Sequence, residues 1–516
     1  MKAVTDVKER VGRVWRATIA IGLIAMLLMA LMASGCRRKV GDQDWSFVPD
    51  PGAEIDPTRT YTIELWDYDL PISWADGNYQ TFVDEVIASF TELYPNVQVV
   101  YRQLDYETGS EELAEALREG TPPDLYMNFG PHHALHPRLQ LPVEGYLSEE
   151  DLAGFEPIAL SLLSYKAGIW AWPRWLAVQT WAGNRALLEE AGANTERIQQ
   201  EGWTWEEFIG LAEAVQREKS HVYGLVTNPK PVLLFNHIMR GCGASALFFA
   251  GEGAALYEVA AQEPPEGSGG GEGEGDEGEP PAQDIAPPVP GWSPGQIETA
   301  LGLVKELRDK SLLPLAGRGY ERPLEYFWEH RAMAMAGFGT WVWHQSAWRQ
   351  KRIDKRDLYP AKGNVNVVLL PIPHLEGQAV AAPVSCAALI PFRQAEYKGD
   401  DHTRVVMAFA KHFITGMGAW PAAELGHVPP LIMDQQLWHQ EIQLDDANGR
   451  FIVDYCRQGL APFGADPTVA QAETEFRESI LTPALEGFIG GDIEPEELVE
   501  RLTRGLDRLD PVPRDP

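Results

Sequence analysis

Beyond residue 60, apolar residues recur along the chain with two alternating periods. Tyr61-Thr62-Ile63-Glu64-Leu65-Trp66 alternates and is rich in strand formers, which predicts a strand. Between Thr81 and Leu93, Phe82, Val83, Val86, Ile87, Phe90 and Leu93 return at helical spacing, and Pro95-Asn96 must end that helix. Val97-Gln98-Val99-Val100-Tyr101 predicts a second strand. Leu113, Ala116 and Leu117 mark a second helix, closed by Gly120-Thr121-Pro122-Pro123, and Asp124-Leu125-Tyr126-Met127 opens a third strand. Strands alternating with helices predict βαβ units and a mainly parallel sheet, hence an α/β fold.

Two stretches break this rhythm. Residues 252–290 are dominated by Gly, Glu and Pro, cannot bury a core and are expected to be disordered. They contain Gly273-x-Gly275-x-x-Gly278, formally a dinucleotide fingerprint. No strand precedes it, no helix follows, and its acidic neighbours would repel a pyrophosphate. The helical pattern resumes at Trp292-Ser293-Pro294, where Ser293 suits an N-cap and Pro294 a first helical position. Ile297, Ala300, Leu301, Val304 and Leu307 supply that helix's face.

The other exception is the beginning of the chain. Met1–Thr18 carries Lys2, Lys8, Arg10, Arg13 and Arg16, and the uncharged run Ile19–Met32 follows. That run is short of the about 20 residues a spanning helix needs, and small residues lead from it into Cys36. This is the pattern of an export signal over residues 1–35. An uncleaved anchor helix is the alternative, and both readings put the rest of the chain outside the cytoplasm. The polar segment after Cys36, up to residue 58, reads as a flexible tether.

Composition narrows the function. With 516 residues there is room for two or three domains. A net charge of −32 argues against nucleic acid and against anionic lipid, because both reward Lys and Arg. Seventeen Trp is a high count, and clustered Trp suggests a binding cleft as well as a core. Besides Cys36 there are Cys242, Cys386 and Cys456, whose spacing fits no zinc pattern, so buried free thiols are expected. His132, His133 and His136 lie close together, but Pro131 and Pro137 favour a loop there, and neither a metal nor a cofactor is expected. There is no G-x-S-x-G elbow, no H-E-x-x-H and no pairing of carboxylates such as glycoside hydrolysis requires, so no enzyme is expected.

Several segments, taken in order, resemble a single family. They are Ile63-Glu64-Leu65-Trp66, the run from Phe90 through Tyr94-Pro95-Asn96 to Val99, and Gly120-Thr121-Pro122-Pro123-Asp124-Leu125. Trp170-Ala171-Trp172-Pro173, the stretch Trp181–Gly192 and Trp203-Thr204-Trp205-Glu206-Glu207-Phe208 continue the series. Arg331-Ala332-Met333 with Gly339-Thr340-Trp341, and Leu370-Pro371-Ile372-Pro373, complete it. This order is similar to that of the sugar-type extracellular solute-binding proteins of ABC importers, the maltose-binding-protein group. The chain departs from the pattern at Ala182-Gly183, where the family has a Tyr, in a longer spacer before Gly339, and in the acidic insert. Ala33-Ser34-Gly35-Cys36 resembles the bacterial lipobox, which implies cleavage after Gly35 and diacylglycerol on the Cys36 sulfur.

The resemblance implies a periplasmic-binding-protein-like α/β fold, with two lobes, a hinge and a ligand cleft between them. An N-terminal lobe is then expected over 59–172 with 379–430, and a C-terminal lobe over 173–378 with 431–516. A sugar offers apolar C–H faces and a ring of hydroxyls, so it calls for aromatic platforms and in-plane hydrogen-bonding groups. Trp66 and Asp67 end the first predicted strand and Tyr126 and Asn128 the third, where ligands approach open α/β sheets. Trp172 and Arg174 lie on the crossing segment, and Trp341 and Trp343 follow Gly339, where the family stacks an aromatic on sugar rings. Core packing is the alternative for Trp66 and a salt bridge between lobes for Arg174. Asp124 is expected to cap backbone N–H groups. The implied function is capture of a sugar or oligosaccharide by a lipid-anchored monomer, and its delivery to an ABC permease in the membrane. The alternative is a membrane-tethered sensor or scaffold with the same fold.

Overall fold

A computed structural model describes residues 47–72, 77–130, 133, 135–165, 168–227, 231–244, 248–249, 289–290, 292–314, 323–337, 339–353, 365–378, 382–416, 418–442, 446–459, 473–490 and 492–508. The expected export signal, Cys36, residues 37–46 of the tether and all but the last two residues of the acidic insert lie outside these.

The alternating blocks form the elements that their periods predict. β1 (Tyr61–Tyr68), β2 (Val97–Leu104) and β3 (Leu125–Asn128) run parallel, linked by α1 (Tyr79–Leu93) and α2 (Gly109–Glu119). Asn78 caps α1 by accepting the Thr81 N–H, and Gly120 ends α2 in the left-handed region at φ +76°. β4 (Trp172–Val178) belongs to the same sheet. The chain then builds β5 (Trp181–Asn184), α3 (Trp205–Glu218), β6 (Tyr223–Thr227) and α4 (Pro231–Gly241). α5 (Pro294–Asp309) follows, capped by Ser293 with Pro294 in its first turn. After β7 (Ala332–Ala336), α6 (Gly339–Ile353) and β8 (Val367–Leu370), the chain returns through β9 (Val384–Pro391) to α7 (Asp400–Thr415).

Two sheets result. The first has the order β2-β1-β3-β9-β4 and the second β8-β5-β7-β6. Ile63, Leu65, Leu125 and Met127 of the first sheet are buried, as are Phe82 and Phe90 of α1 and Phe409 and Phe413 of α7. Each such side chain contributes roughly 1.5–3 kcal/mol on burial. In the second sheet Trp181 meets Trp203, Trp205 and Phe208 edge-to-face, with ring centroids 5.3 to 6.3 Å apart. The high Trp count is therefore spent largely on core, since Trp172, Trp181, Trp203, Trp205 and Trp438 are all fully buried.

Only Gln179 and Thr180 separate β4 from β5, so the chain passes from one sheet to the other there. The lobe boundary expected at 172/173 falls at the start of β4. β4 pairs with β9 along its length, from Trp172 opposite Leu389 to Val178 opposite Val384. After residue 430 the chain does not keep to one sheet. α8 (Asp446–Arg457) packs against both β4 and β8 and so bridges the two sheets.

Asp124 ties the base of the first sheet together. Its buried carboxylate accepts the Glu64 N–H at 3.0 Å, Gln394 Nε2 at 3.2 Å, Lys398 Nζ at 3.0 Å and His402 Nε2 at 2.9 Å. Burial alone would raise its pKa, but His402, Lys398 and the Glu64 N–H together hold it below the usual carboxylate value. The resulting stabilisation is complete above the unfolded-state pKa near 3.9 and is lost as pH falls through the lower folded-state value. Asp124→Asn should cost about 1.5–3 kcal/mol at pH 7 and should flatten the acid limb of stability in urea titrations between pH 5 and pH 2. An acid limb identical to that of the parent protein would contradict this assignment.

Candidate functional site

β1, β3 and β4 all run toward the same edge of the first sheet and end there at Tyr68, Asn128 and Val178. In the second sheet β6 and β7 end at Thr227 and Ala336, beside the start of the antiparallel strand β5. Gln179 and Thr180 alone join β4 to β5, so these two edges flank the connection, and the space between them is the candidate crevice. Ligands of open α/β sheets bind at such carboxyl edges.

Aromatic rings line the first-sheet side. Tyr68 stacks on Tyr106 with centroids 5.1 Å apart, and Phe129 lies 5.2 Å from Tyr68 and 5.8 Å from Trp175. Trp175 in turn stacks on His427 at 5.9 Å. Tyr106 is 59% exposed and Phe129 37% exposed, large values for aromatic side chains. Both are nonetheless fixed in place. The Tyr106 hydroxyl donates to the Asp69 carbonyl, and the Tyr68 and Tyr126 hydroxyls share a 2.7 Å hydrogen bond beneath. An exposed ring already clamped by neighbours loses little entropy when a ligand stacks on it.

A bulge in β4 builds the support behind this wall. Trp175 pairs with Ala387 and Pro173 with Ala388, which leaves Arg174 as the extra residue. Its Nη1 lies 3.0 Å from Asp67 Oδ2. The Tyr79 hydroxyl accepts from Arg174 and donates to Asp67, whose Oδ1 accepts the Tyr68 N–H at 2.7 Å. The guanidinium also lies over the Trp175 and Phe413 rings, 4.8 Å from each centroid. Burial pushes the Asp67 carboxyl up, and Arg174, Tyr79 and the Tyr68 N–H oppose that shift. Asp67 is 0% and Arg174 2% exposed. These two candidates are therefore committed to each other and not presented to the crevice. Both belong to the first sheet, so the alternative of a salt bridge between lobes is also corrected.

The remaining candidates separate by exposure. Trp66 is buried, donates to Glu64 Oε1 at 2.6 Å and carries the Arg102 guanidinium 4.3 Å above its ring. Trp172 is core, with its Nε1 3.4 Å from the Met407 sulfur, and Trp343 packs against Trp438 at 6.2 Å. Tyr126 lies under Tyr68. Asn128 accepts the Gly130 N–H at 3.0 Å and lies 3.1 Å from His133 Nδ1. Trp341 is 37% exposed in the first turn of α6. That turn reaches the wall through Gly426, at φ +70°, where a Cβ would lie 2.8 Å from the Thr340 oxygen and 3.1 Å from His344 Cβ. The next residue is His427, which stacks on Trp175.

Sequence reasoning missed Tyr106 and Phe129. Each follows the carboxyl end of an observed strand by one or two residues, but β2 runs on to Leu104, past the predicted end at Tyr101, so for Tyr106 that signal was hidden. His132 lies outside the described residues, and His136 Nδ1 accepts the Leu139 N–H at 3.1 Å. Cys242, Cys386 and Cys456 are buried free thiols. Among the described residues, no group of three or more His, Cys, Asp or Glu could hold a metal ion, and no helix is long and apolar enough to cross a membrane.

Two lobes meeting at an aromatic-lined crevice define a binding protein of the periplasmic type. The chain belongs to the bacterial extracellular solute-binding proteins, whose family pattern it matches over residues 75–377. No curated protein matches the sequence. Among solved structures it is similar to the GacH receptor of Streptomyces glaucescens, a structure determined unliganded and with acarbose, at 15% identity and TM-score 0.58. That alignment covers 87% of this chain and 98% of the receptor. It is also similar to maltose-bound MalE3 of T. maritima, at 14% identity and TM-score 0.57, over 87% of this chain and 99% of that one. A third is the cyclic α-maltosyl-1,6-maltose binding protein of Arthrobacter globiformis, at 12% identity and TM-score 0.59, again over 87% and 99%. Identities this low establish the shared fold.

Removing one member of the buried pair leaves the other charged in a dry site. Arg174→Met should lower stability by about 3–5 kcal/mol in chemical denaturation, and adding Asp67→Asn should recover part of the loss. Additive costs in the double variant would show that the two residues do not act as a pair.

Proposed function

We propose that this protein captures a sugar or oligosaccharide in the crevice and delivers it to an ABC permease, held at the membrane by a lipid on Cys36. The observation that carries the reading is the pair of exposed but clamped rings, Tyr106 and Phe129, on a crevice whose other lobe exposes Trp341. Flat apolar platforms on two lobes suit the C–H faces of pyranose rings, and polar groups at strand ends suit their hydroxyls. The neighbours bound to acarbose and maltose support a carbohydrate ligand. Membership in an extracellular family supports placement outside the cytoplasm. The basic head, uncharged run and Ala33-Ser34-Gly35-Cys36 support lipidation. Trp341 remains assigned to the ligand, now joined by Tyr106 and Phe129, while buried Tyr126 and Asn128 support the wall from beneath.

Calorimetry with maltose, maltotriose, acarbose and cyclic glucans tests the ligand class, and absence of heat with every sugar would sink it. For a sugar that binds, Phe129→Ala and Trp341→Ala should each weaken affinity about tenfold or more, with unfolding midpoints little changed. Cys36→Ser should move the protein from the membrane fraction to the soluble fraction of expressing cells. Unaltered membrane retention would refute the anchor.

A further inference from the structure

The two-residue connection between the sheets contains a hydrogen-bond chain of fixed direction. The Trp181 indole N–H can only donate, and it lies 3.0 Å from His237 Nδ1. Nδ1 must then be the acceptor, so the ring proton sits on Nε2. His237 Nε2 is 2.9 Å from Gln179 Oε1 and donates to it. This settles which end of the Gln179 amide is oxygen. The Nε2 amide group is left as a donor with no partner among the described residues, on a half-buried side chain. The backbone is equally constrained, because the Gln179 N–H donates to the Pro383 carbonyl at 2.9 Å. Burial and the nearby Arg240 push the His237 pKa down to about 3, so the ring stays neutral across working pH.

The surroundings point the same way. The Thr180 hydroxyl is fully buried and has no hydrogen-bond partner among the described residues, and the Thr227 hydroxyl, at the carboxyl end of β6, is in the same condition. Thr180 lies hard against the start of α6, where a Cβ on Gly339 would come within 2.2 Å of its Oγ1. Buried polar groups without partners are costly. Thr180 is the residue next to Gln179, whose amide donor end is unused, and Thr227 ends the neighbouring strand opposite Ala336.

We propose that Gln179 is a specificity-determining residue whose side-chain N–H donates to an oxygen of the bound sugar, with Trp181 and His237 as positioning residues that fix the amide's orientation. This rests on the carbohydrate reading above. A donor held in one orientation accepts a hydroxyl, ring or glycosidic oxygen and disfavours an analogue in which that oxygen is replaced by hydrogen. Gln179 is the one side chain on the short connection that can reach a ligand without belonging to either lobe's core.

The experiment combines calorimetry with maltotriose and the other sugars named above and 15N NMR of the histidine rings in the full chain. Gln179→Met, which keeps the volume and removes the donor, should weaken binding about three- to tenfold with an unchanged unfolding midpoint. Gln179→Glu should weaken it further. His237 should show only the Nε2–H tautomer, without titration, from pH 5 to pH 8, and Trp181→Phe should release that preference. A parent protein that binds a sugar which Gln179→Met binds equally well would overturn the proposal and leave the carbohydrate reading standing. An Nδ1–H tautomer at His237 would overturn the relay whatever the ligand. A parent protein that binds no sugar would overturn both readings together.

Discussion

The buried Asp67–Arg174 pair is the constraint on which the rest of the first lobe depends. It joins the end of β1, the start of α1 and the bulge in β4, elements far apart in sequence, at one point that water does not reach. Opposite charges in such a place are tolerated only with full hydrogen bonding, and the Tyr79 hydroxyl and Tyr68 N–H complete it. The geometry therefore has little freedom. With Asp67 held, Tyr68 is held. With Arg174 held, Trp175 is fixed beneath its guanidinium, and the exposed rings of Tyr106 and Phe129 rest on both.

The second lobe reaches the same crevice by a different route. Its core is aromatic rather than ionic, and Trp181, the first residue after the crossing, sits in that core while its indole N–H serves the polar chain at the crevice floor. The second lobe thus anchors its contribution at the first residue after the connection, and the first lobe at Arg174, within the strand that leads into it. Short connections between well-anchored sheets favour motion of lobes as units, which is the repertoire of hinged binding proteins.

Much of this was legible in the sequence. Period two in β1 and period 3.6 in α1 fixed their type, and the Ser293-Pro294 signal fixed where α5 starts, because these depend on neighbours along the chain. Asp67 and Arg174 were recognisable as unusual but not as partners. Nothing local shows that two charges over a hundred positions apart will meet, or that a bulge will turn Arg174 inward. The Trp residues misled for a similar reason. A large ring suits a core and a ligand platform equally, and only burial separates Trp172 and Trp343 from Trp341. Tyr106 was hidden because its exposure results from its clamp, a carbonyl in a different loop.

At Gly426, two parts of the chain close to within the width of a single methyl group. The backbone oxygen of Thr340 and the Cβ of His344, one turn apart on α6, leave room at Gly426 for hydrogen and nothing larger. Any other residue there would act as a shim, holding the first turn of α6 away from the aromatic wall. The spacing of the crevice is thus gauged, at this point, by an atom that the side chain does not have.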